Sequence, residues 1–196
     1  MAIKKKHISP RQKMINLMYV VLMAMLALNI SSEVLNGFSI VEESLNRTTA
    51  NSSKENEVLY GNFAEQMKKN PQKVKEWFEK ATAVKRMSDS LYNFAQALKV
   101  QIVREADGKD GNIYNIKSKD NLEAASHVML APGTGQGKKL YDAINNFRER
   151  ILKMVPDQHQ RDIIESNLTT KVPKNANTLG KNWQEYMFED MPVAGA

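Results

Sequence analysis

The chain has 196 residues, a formal net charge of +6 and no cysteine, which excludes disulfides, thiolate metal sites and a cysteine nucleophile. Residues 1–13 hold five basic residues and no acid, which leaves 23 basic and 22 acidic residues for the remainder. Because a nucleic-acid-binding domain spreads its basic residues over a folded face, this segregation argues against a nucleic-acid partner.

The first predicted element is an apolar helix near the N-terminus. Residues 17–28 read LMYVVLMAMLAL, and the apolar run extends over the 17 residues Met14–Ile30. As a helix this run spans about 25 Å, the short end of what crosses a lipid bilayer. Ser9 is a natural N-cap and Pro10 suits the first helical position, so we predict that the helix begins at Pro10.

The flanks of this run predict its orientation. Five basic residues precede it and SSE at 31–33 follows it, so the positive-inside rule places the N-terminus in the cytoplasm. A cleaved signal peptide has a similar outline, but no small-x-small cleavage site follows, and the helical pattern continues without a break. We therefore predict a cytoplasmic tail at 1–9, a transmembrane helix at 10–32 and a domain beyond the membrane at 33–196.

A heptad pattern follows directly on the apolar run. Its apolar positions, spaced four and three residues apart, are Val34, Phe38, Val41 and Leu45. An amphipathic helix that packs on its own domain gives the same pattern. Because this seam continues a membrane helix, we favour the pairing of two copies and predict a homodimer. The polar stretch Thr48–Lys54 predicts a weak or bent point in the helix.

The rest of the chain predicts helices joined by short breaks. A second long helix starts at the break before Pro71, keeps heptad spacing to Ile102 and ends in the turn at 107–112. Further helical segments are predicted at 121–130, at 138–155, at 157–168 and from Trp183. Residues 113–117 would form at most a small hairpin. The predicted fold is all-α, with one transmembrane helix continuing into a helical bundle.

No arrangement of residues indicates catalysis or metal binding. The loop PGTGQGKK at 132–139 lacks the first glycine, the final Ser or Thr and the preceding strand of a phosphate-binding loop. The turn DGKDGN at 107–112 lacks the carboxylate spacing of an EF-hand. His7, His127 and His159 are too scattered to form a metal site or a proton relay. We therefore expect no enzymatic activity, no metal and no cofactor.

The polar residues around the apolar run suggest where a mechanism would reside. Within the run the polar side chains are Asn16, Tyr19 and Asn29, and none is ionised near neutral pH. An ion-carrying membrane protein needs an intramembrane carboxylate or a chain of polar groups, so this chain cannot move protons alone. Arg11 shares a helix face with apolar residues. Either it snorkels to headgroups as a topology charge, or it pairs with a carboxylate on another protein's membrane helix.

The sequence SPRQKMINLMYVVLMAMLALNISSEVLNGF at 9–38 resembles the N-terminal part of the GldM family, called PorM in non-gliding relatives. The resemblance is close over the anchor and looser down to WQEYMF at 183–188. It implies a single-pass subunit of the bacterial inner membrane, within the type IX secretion system. Residues 33–196 would be its first periplasmic domain. Because the C-terminal residues are still apolar, we expect the natural chain to continue beyond residue 196.

The resemblance also implies partners and a mechanism. The family's two membrane helices are expected to enter a pentameric ring of a GldL (PorL) partner, whose glutamates respond to proton flow. Arg11 matches the family's arginine that faces this glutamate. The implied function is a motor subunit that converts proton-motive force into periplasmic motion for type IX secretion and gliding. Domains beyond residue 196 would reach outer-membrane secretion-ring components. The alternative is a signal-anchored periplasmic scaffold or sensor with no energy-coupling role.

Overall fold

A computed structural model describes residues 9–27, 31–174 and 180–196. Its helices are α1 (Pro10–Ala27), α2 (Ser32–Lys69), α3 (Pro71–Asp107), α4 (Glu123–Leu130), α5 (Gly137–Met154), α6 (Gln158–Asn167) and α7 (Trp183–Phe188). The described ranges contain no strand, only an isolated bridge between Asn112 and Asn115 where the sequence allowed a small hairpin. The all-α prediction is confirmed.

Helix α1 begins where the sequence predicts. Pro10 is its first residue, and the backbone N–H of Gln12 donates to Ser9 Oγ at 3.3 Å. It contacts none of the other helices described. Among the residues that the structure describes, no helix is both long enough and apolar enough to cross a membrane. The predicted transmembrane segment 10–32 includes residues 28–30, which lie outside the described ranges.

The prediction that one helix runs unbroken from α1 into the heptad region is wrong. Ser31 has an extended backbone, with φ −64° and ψ 145°, and its Oγ accepts a hydrogen bond from the N–H of Val34. A serine at this position satisfies one of the free N–H groups of a new helix, and Glu33 adds a favourable charge in the first turn. The chain therefore starts α2 afresh at Ser32.

Helices α2 and α3 form a long antiparallel hairpin. Helix α2 remains helical through the polar stretch Thr48–Lys54, so the weak point expected there does not interrupt it. Its 38 residues give a length of about 57 Å. Asn70 forms the connection, and Pro71 opens α3 as predicted, because its fixed φ suits the first helical position.

The hairpin keeps one register along its length. The pairs that join α2 to α3 are Lys99 Nζ with Glu42 Oε1 at 3.4 Å, Tyr60 Oη donating to Ala81 O at 3.1 Å, and the rings of Phe63 and Phe78 with centroids 5.8 Å apart. In each step toward the tip, the residue number rises on α2 as much as it falls on α3. The two helices are therefore antiparallel and keep the same register at all three contacts.

The hydrophobic core lies at the C-terminal end of α3. Helix α3 packs against α2, α4 and α5, and α4 packs in turn against α7. The buried residues that form this core are Leu98, Ile102, Val103, Ala124, Ala125, Met129, Phe188 and Val193. The rings of Trp183 and Phe188 meet edge to face within it, with centroids 6.1 Å apart.

The C-terminal segment, residues 189–196, closes this core. The N–H of Val193 donates to Asn121 O at 3.0 Å, and the N–H of Ala194 donates to Lys119 O at 3.1 Å. A Cβ added at Gly195 would lie 3.1 Å from the ring of Phe38, so this segment also lies against α2. It therefore connects the start of α2 with the loop before α4.

The turn after α3 has the position predicted from its sequence. Gly108 has φ +86°, a conformation that favours glycine. The carboxylate of Asp107 accepts the N–H of Lys117 at 2.8 Å and the N–H of Ser118 at 2.9 Å. These two bonds close the loop 108–118 and place Ile113 and Ile116 against the core.

Candidate functional site

The most unusual surface of the structure is helix α1. Every side chain from Pro10 to Ala24 is exposed, and Met14, Leu17, Met18 and Leu22 are each more than half exposed. Soluble monomers rarely leave so many contiguous apolar side chains in water. Such a surface is typical of a helix that contacts lipid or another protein.

Arg11 lies in the first turn of α1 and is exposed. Residues 1–32 contain no aspartate or glutamate, so α1 has no carboxylate of its own. In the described part of the chain, Arg11 has no carboxylate oxygen within 4.0 Å. A charge partner for Arg11 would therefore have to approach from outside this helix.

The structure describes two of the three polar residues of the apolar run, Asn16 and Tyr19, and neither is aligned with Arg11 along the helix axis. The side-chain amide of Gln12 donates to Asn16 Oδ1 at 3.2 Å, so Asn16 already has a local partner. At about 100° per residue, Asn16 lies about 140° around the helix from Arg11, and Tyr19 about 80°. Tyr19 is exposed, and Asn29 lies outside the described residues.

The predicted dimer seam on α2 is only partly free. Val34, Val41 and Leu45 are 50%, 56% and 60% exposed, whereas Phe38 is half-buried against the C-terminal segment. Together with α3 and that segment, Phe38, Val41 and Leu45 line an open groove. The domain itself thus covers one member of the seam and leaves three for another surface.

The uncovered surface of α2 continues past the seam. Every side chain from Glu43 to Leu59 is exposed, although α2 and α3 are in contact at both ends of this stretch. The stretch includes Val58 and Leu59, and the seam side adds Ile40. A helix that is exposed on all sides for 17 residues lacks the buried apolar stripe that usually holds a helix in place.

The loop 132–139 and the three histidines do not form a catalytic or metal-binding arrangement in the described residues. In the loop 132–139, Cβ atoms added at Gly135 and Gly137 would lie 2.7 Å and 2.8 Å from Met129 O, so these glycines permit close backbone packing. His127 Nδ1 lies 2.7 Å from Glu105 Oε1, His159 is exposed on α6, and His7 is outside the described residues. The described ranges contain no group of three residues suited to hold a metal.

Reasoning from the sequence missed a second basic cluster, at the far end of the α2–α3 hairpin. Lys68 and Lys69 end α2, and Lys73 and Lys75 follow at the start of α3. The count of charges over the whole chain after residue 13 conceals this cluster, because acids elsewhere balance it. Counting charge over each predicted element would have found it.

Comparison with known proteins connects this architecture to one family. The family described as the GldM N-terminal domain matches residues 33–196, which extends from the start of α2 through the C-terminal segment. No curated protein matches the chain.

Proposed function

The chain belongs to the GldM family, and we propose that it is the membrane-anchored subunit of a motor that converts proton-motive force into periplasmic motion. Family membership associates it with gliding motility and type IX secretion. In this proposal, residues 1–9 lie in the cytoplasm, the segment 10–32 crosses the inner membrane, and 33–196 form a periplasmic domain. The chain itself performs no catalysis.

One observation carries the proposal: an exposed apolar helix that packs on nothing else described. The apolar side chains of α1 are uncovered as far as Ala24, and the sequence continues apolar to Ile30. Lipid or the membrane helices of a partner would cover this surface favourably. The five basic residues before Met14 support an N-terminus on the cytoplasmic side.

Arg11 is the residue that we propose for energy coupling. The run Met14–Ile30 has no carboxylate, so the group that takes up protons must belong to a partner. A GldL-type ring, with five subunits as the family resemblance implies, would supply it as a membrane glutamate. An ionised glutamate attracts Arg11 and a protonated one releases it. A membrane potential of 100 mV acting on one charge supplies about 2.3 kcal/mol for such a step.

The proposed functional unit contains two copies of the chain. The open seam positions Val34, Val41 and Leu45 and the exposed stretch of α2 beyond them supply surface for a second copy. Pairing of α2 helices would bury apolar side chains that now face water. A pair of hairpins about 57 Å long would also form a stiffer lever than one hairpin alone.

Matched substitutions on α1 test the coupling role. Arg11→Ala and Lys13→Ala each remove one positive charge near the membrane surface, but the two side chains lie about 160° apart around the helix. We expect Arg11→Ala to abolish secretion and gliding at normal membrane levels, while Lys13→Ala remains close to wild type. Arg11→Lys keeps the charge without the planar guanidinium, and we expect it to retain only part of the activity.

Normal secretion by Arg11→Ala at normal expression would contradict coupling through Arg11. It would favour the alternative of a periplasmic scaffold or sensor in which Arg11 only sets topology. Equal loss in Arg11→Ala and Lys13→Ala would point to total charge and not to a specific pair. Native mass spectrometry of the complex purified from membranes tests the stoichiometry, and a single copy per complex would contradict the homodimer.

A further inference from the structure

The tip of the α2–α3 hairpin is strongly basic. We define the hairpin tip as residues 66–86, which hold seven basic and two acidic residues. Outside the tip and residues 1–13, the chain has 16 basic and 20 acidic residues. The periplasmic domain therefore separates a positive tip from a negative remainder, which a count over the whole chain does not show.

Most of this positive charge has no partner within the domain. The tip's one ion pair among the described residues joins Lys80 Nζ to Glu76 Oε1 at 2.6 Å, and this contact lowers the pKa of Glu76. The remaining positive charge is exposed and has no carboxylate oxygen within 4.0 Å in the described structure. This group consists of Lys68, Lys69, Lys73, Lys75, Lys85 and Arg86, and the first four of them flank the connection at Asn70.

The helix dipole favours a positive charge at only two of the four lysines that flank Asn70. Lys68 and Lys69 lie in the last turn of α2, where the helix dipole favours positive charge. Lys73 lies in the first turn of α3, which has no acid and where the dipole disfavours positive charge, and Lys75 lies just beyond that turn. The four lysines also repel one another across the connection at Asn70. Side chains that oppose the local rules of stability are often retained for function.

An exposed tryptophan lies within the basic surface. Trp77 is 49% exposed and occupies the same face of α3 as Lys73 and Lys80, one turn to either side. Lys80 Nζ lies 4.7 Å from the centroid of the Trp77 ring. Tryptophan is among the residues that most often form the energetic centre of a protein interface.

We propose that the hairpin tip is a docking surface for an acidic segment of another protein. Charge complementarity selects an anionic occupant, and Trp77 supplies the apolar anchor. A segment that inserts into a lipid surface presents several apolar side chains beside its lysines, whereas Trp77 is the one large hydrophobic residue of the tip that is strongly exposed. The tip also lies about 57 Å along α2 from the end that adjoins α1.

The test measures the binding of a short fluorescent peptide, rich in glutamate with one leucine, to the full chain in detergent micelles. Fluorescence anisotropy gives the dissociation constant at low and moderate salt. Changing Lys68, Lys69, Lys73 and Lys75 together to glutamine should weaken binding about tenfold or more. The control changes four exposed lysines elsewhere to glutamine, for the same change in net charge: Lys109, Lys139, Lys153 and Lys171. It should shift the constant by less than about twofold.

Trp77→Ala provides a second test, because this substitution leaves the net charge of the chain unchanged. We expect it to weaken peptide binding about fivefold while leaving the salt dependence nearly unchanged, because it removes no charge. Far-UV circular dichroism establishes that each variant is folded. The proposal is overturned if the wild-type chain does not bind the peptide, or if the control variant loses as much affinity as the tip variant. It is also overturned if the tip lysines bind anionic vesicles and not the peptide, or hold two copies of this chain together.

Discussion

Asp107→Asn tests whether one carboxylate holds the loop after α3 in place. In the structure this carboxylate accepts the N–H groups of Lys117 and Ser118, at 2.8 Å and 2.9 Å. The loop that it closes brings Ile113 and Ile116 against the core and into the groove beside α2. Asparagine has nearly the same shape, but it loses the charge and presents an NH2 group where one acceptor stood.

The expected loss in the free energy of unfolding follows from these two charge-assisted hydrogen bonds. A hydrogen bond to a charged group contributes about 1.5–3 kcal/mol, and the half-exposed position of Asp107 reduces this through solvent screening. Since asparagine still accepts one bond, we expect Asp107→Asn to lower the free energy of unfolding by about 1–2 kcal/mol at neutral pH.

The stability difference between wild type and Asp107→Asn should decrease as the pH falls. The backbone N–H of Lys117 donates to the Asp107 carboxylate and is the largest cause of its lowered pKa. The stabilisation is therefore complete above the ordinary aspartate pKa of about 4, and it is lost as the pH falls through the lower pKa of the folded state. The difference between wild type and Asp107→Asn should shrink in strongly acidic solution.

Urea unfolding followed by circular dichroism, at neutral and acidic pH, measures this difference. Asp110→Asn is the matched control, because Asp110 is an exposed aspartate in the same turn and its substitution changes the net charge equally. We expect the control to alter stability by less than about 0.5 kcal/mol. Equal losses in the two variants, or a difference for Asp107→Asn that persists in acid, would refute a specific role of this carboxylate.

Two further predictions concern packing and use the same unfolding measurement. Phe188→Ala should lower the free energy of unfolding by about 3–5 kcal/mol, because the ring is buried against Trp183, and a loss below about 1 kcal/mol would contradict its place in the core. Gly137→Ala should destabilise by about 1–3 kcal/mol, since its Cβ would lie 2.8 Å from Met129 O. Gly61→Ala, with open space around its Cβ, should instead stabilise by up to about 1 kcal/mol, and equal effects of the two alanines would contradict the packing argument.

Several helix boundaries were predictable from a local signal. The helix predicted at 157–168 is found at Gln158–Asn167, because the Asp157 side chain accepts the N–H of Gln160 at 2.8 Å. The last helix opens at Trp183 as predicted, where Asn182 and Glu185 form a capping box. These signals lie within three residues of the boundary, so the sequence contains all of the information needed.

Two features of the fold were not predicted, for different reasons. The C-terminal segment has no periodicity, and its backbone bonds to Lys119 and Asn121 join residues that are more than 70 positions apart. The break at Ser31 did have a local signal, a serine before an acidic first turn. The apolar and heptad patterns on either side outweighed that signal, although hydrophobic periodicity cannot tell one long helix from two helices in succession.

The predicted seam shows why the candidate site was only partly readable from the sequence. Heptad spacing establishes which residues share a face of α2, but it does not establish which surface covers that face. In the structure Phe38 lies against Gly195 of its own domain, while Val41 and Leu45 remain more than half exposed beside it. Packing on its own domain is therefore found for Phe38, whereas the pairing of two copies through Val41 and Leu45 stays a prediction. Because Phe38 contacts its own domain, its loss would disturb folding and pairing together, so a substitution meant to separate two copies belongs at Leu45.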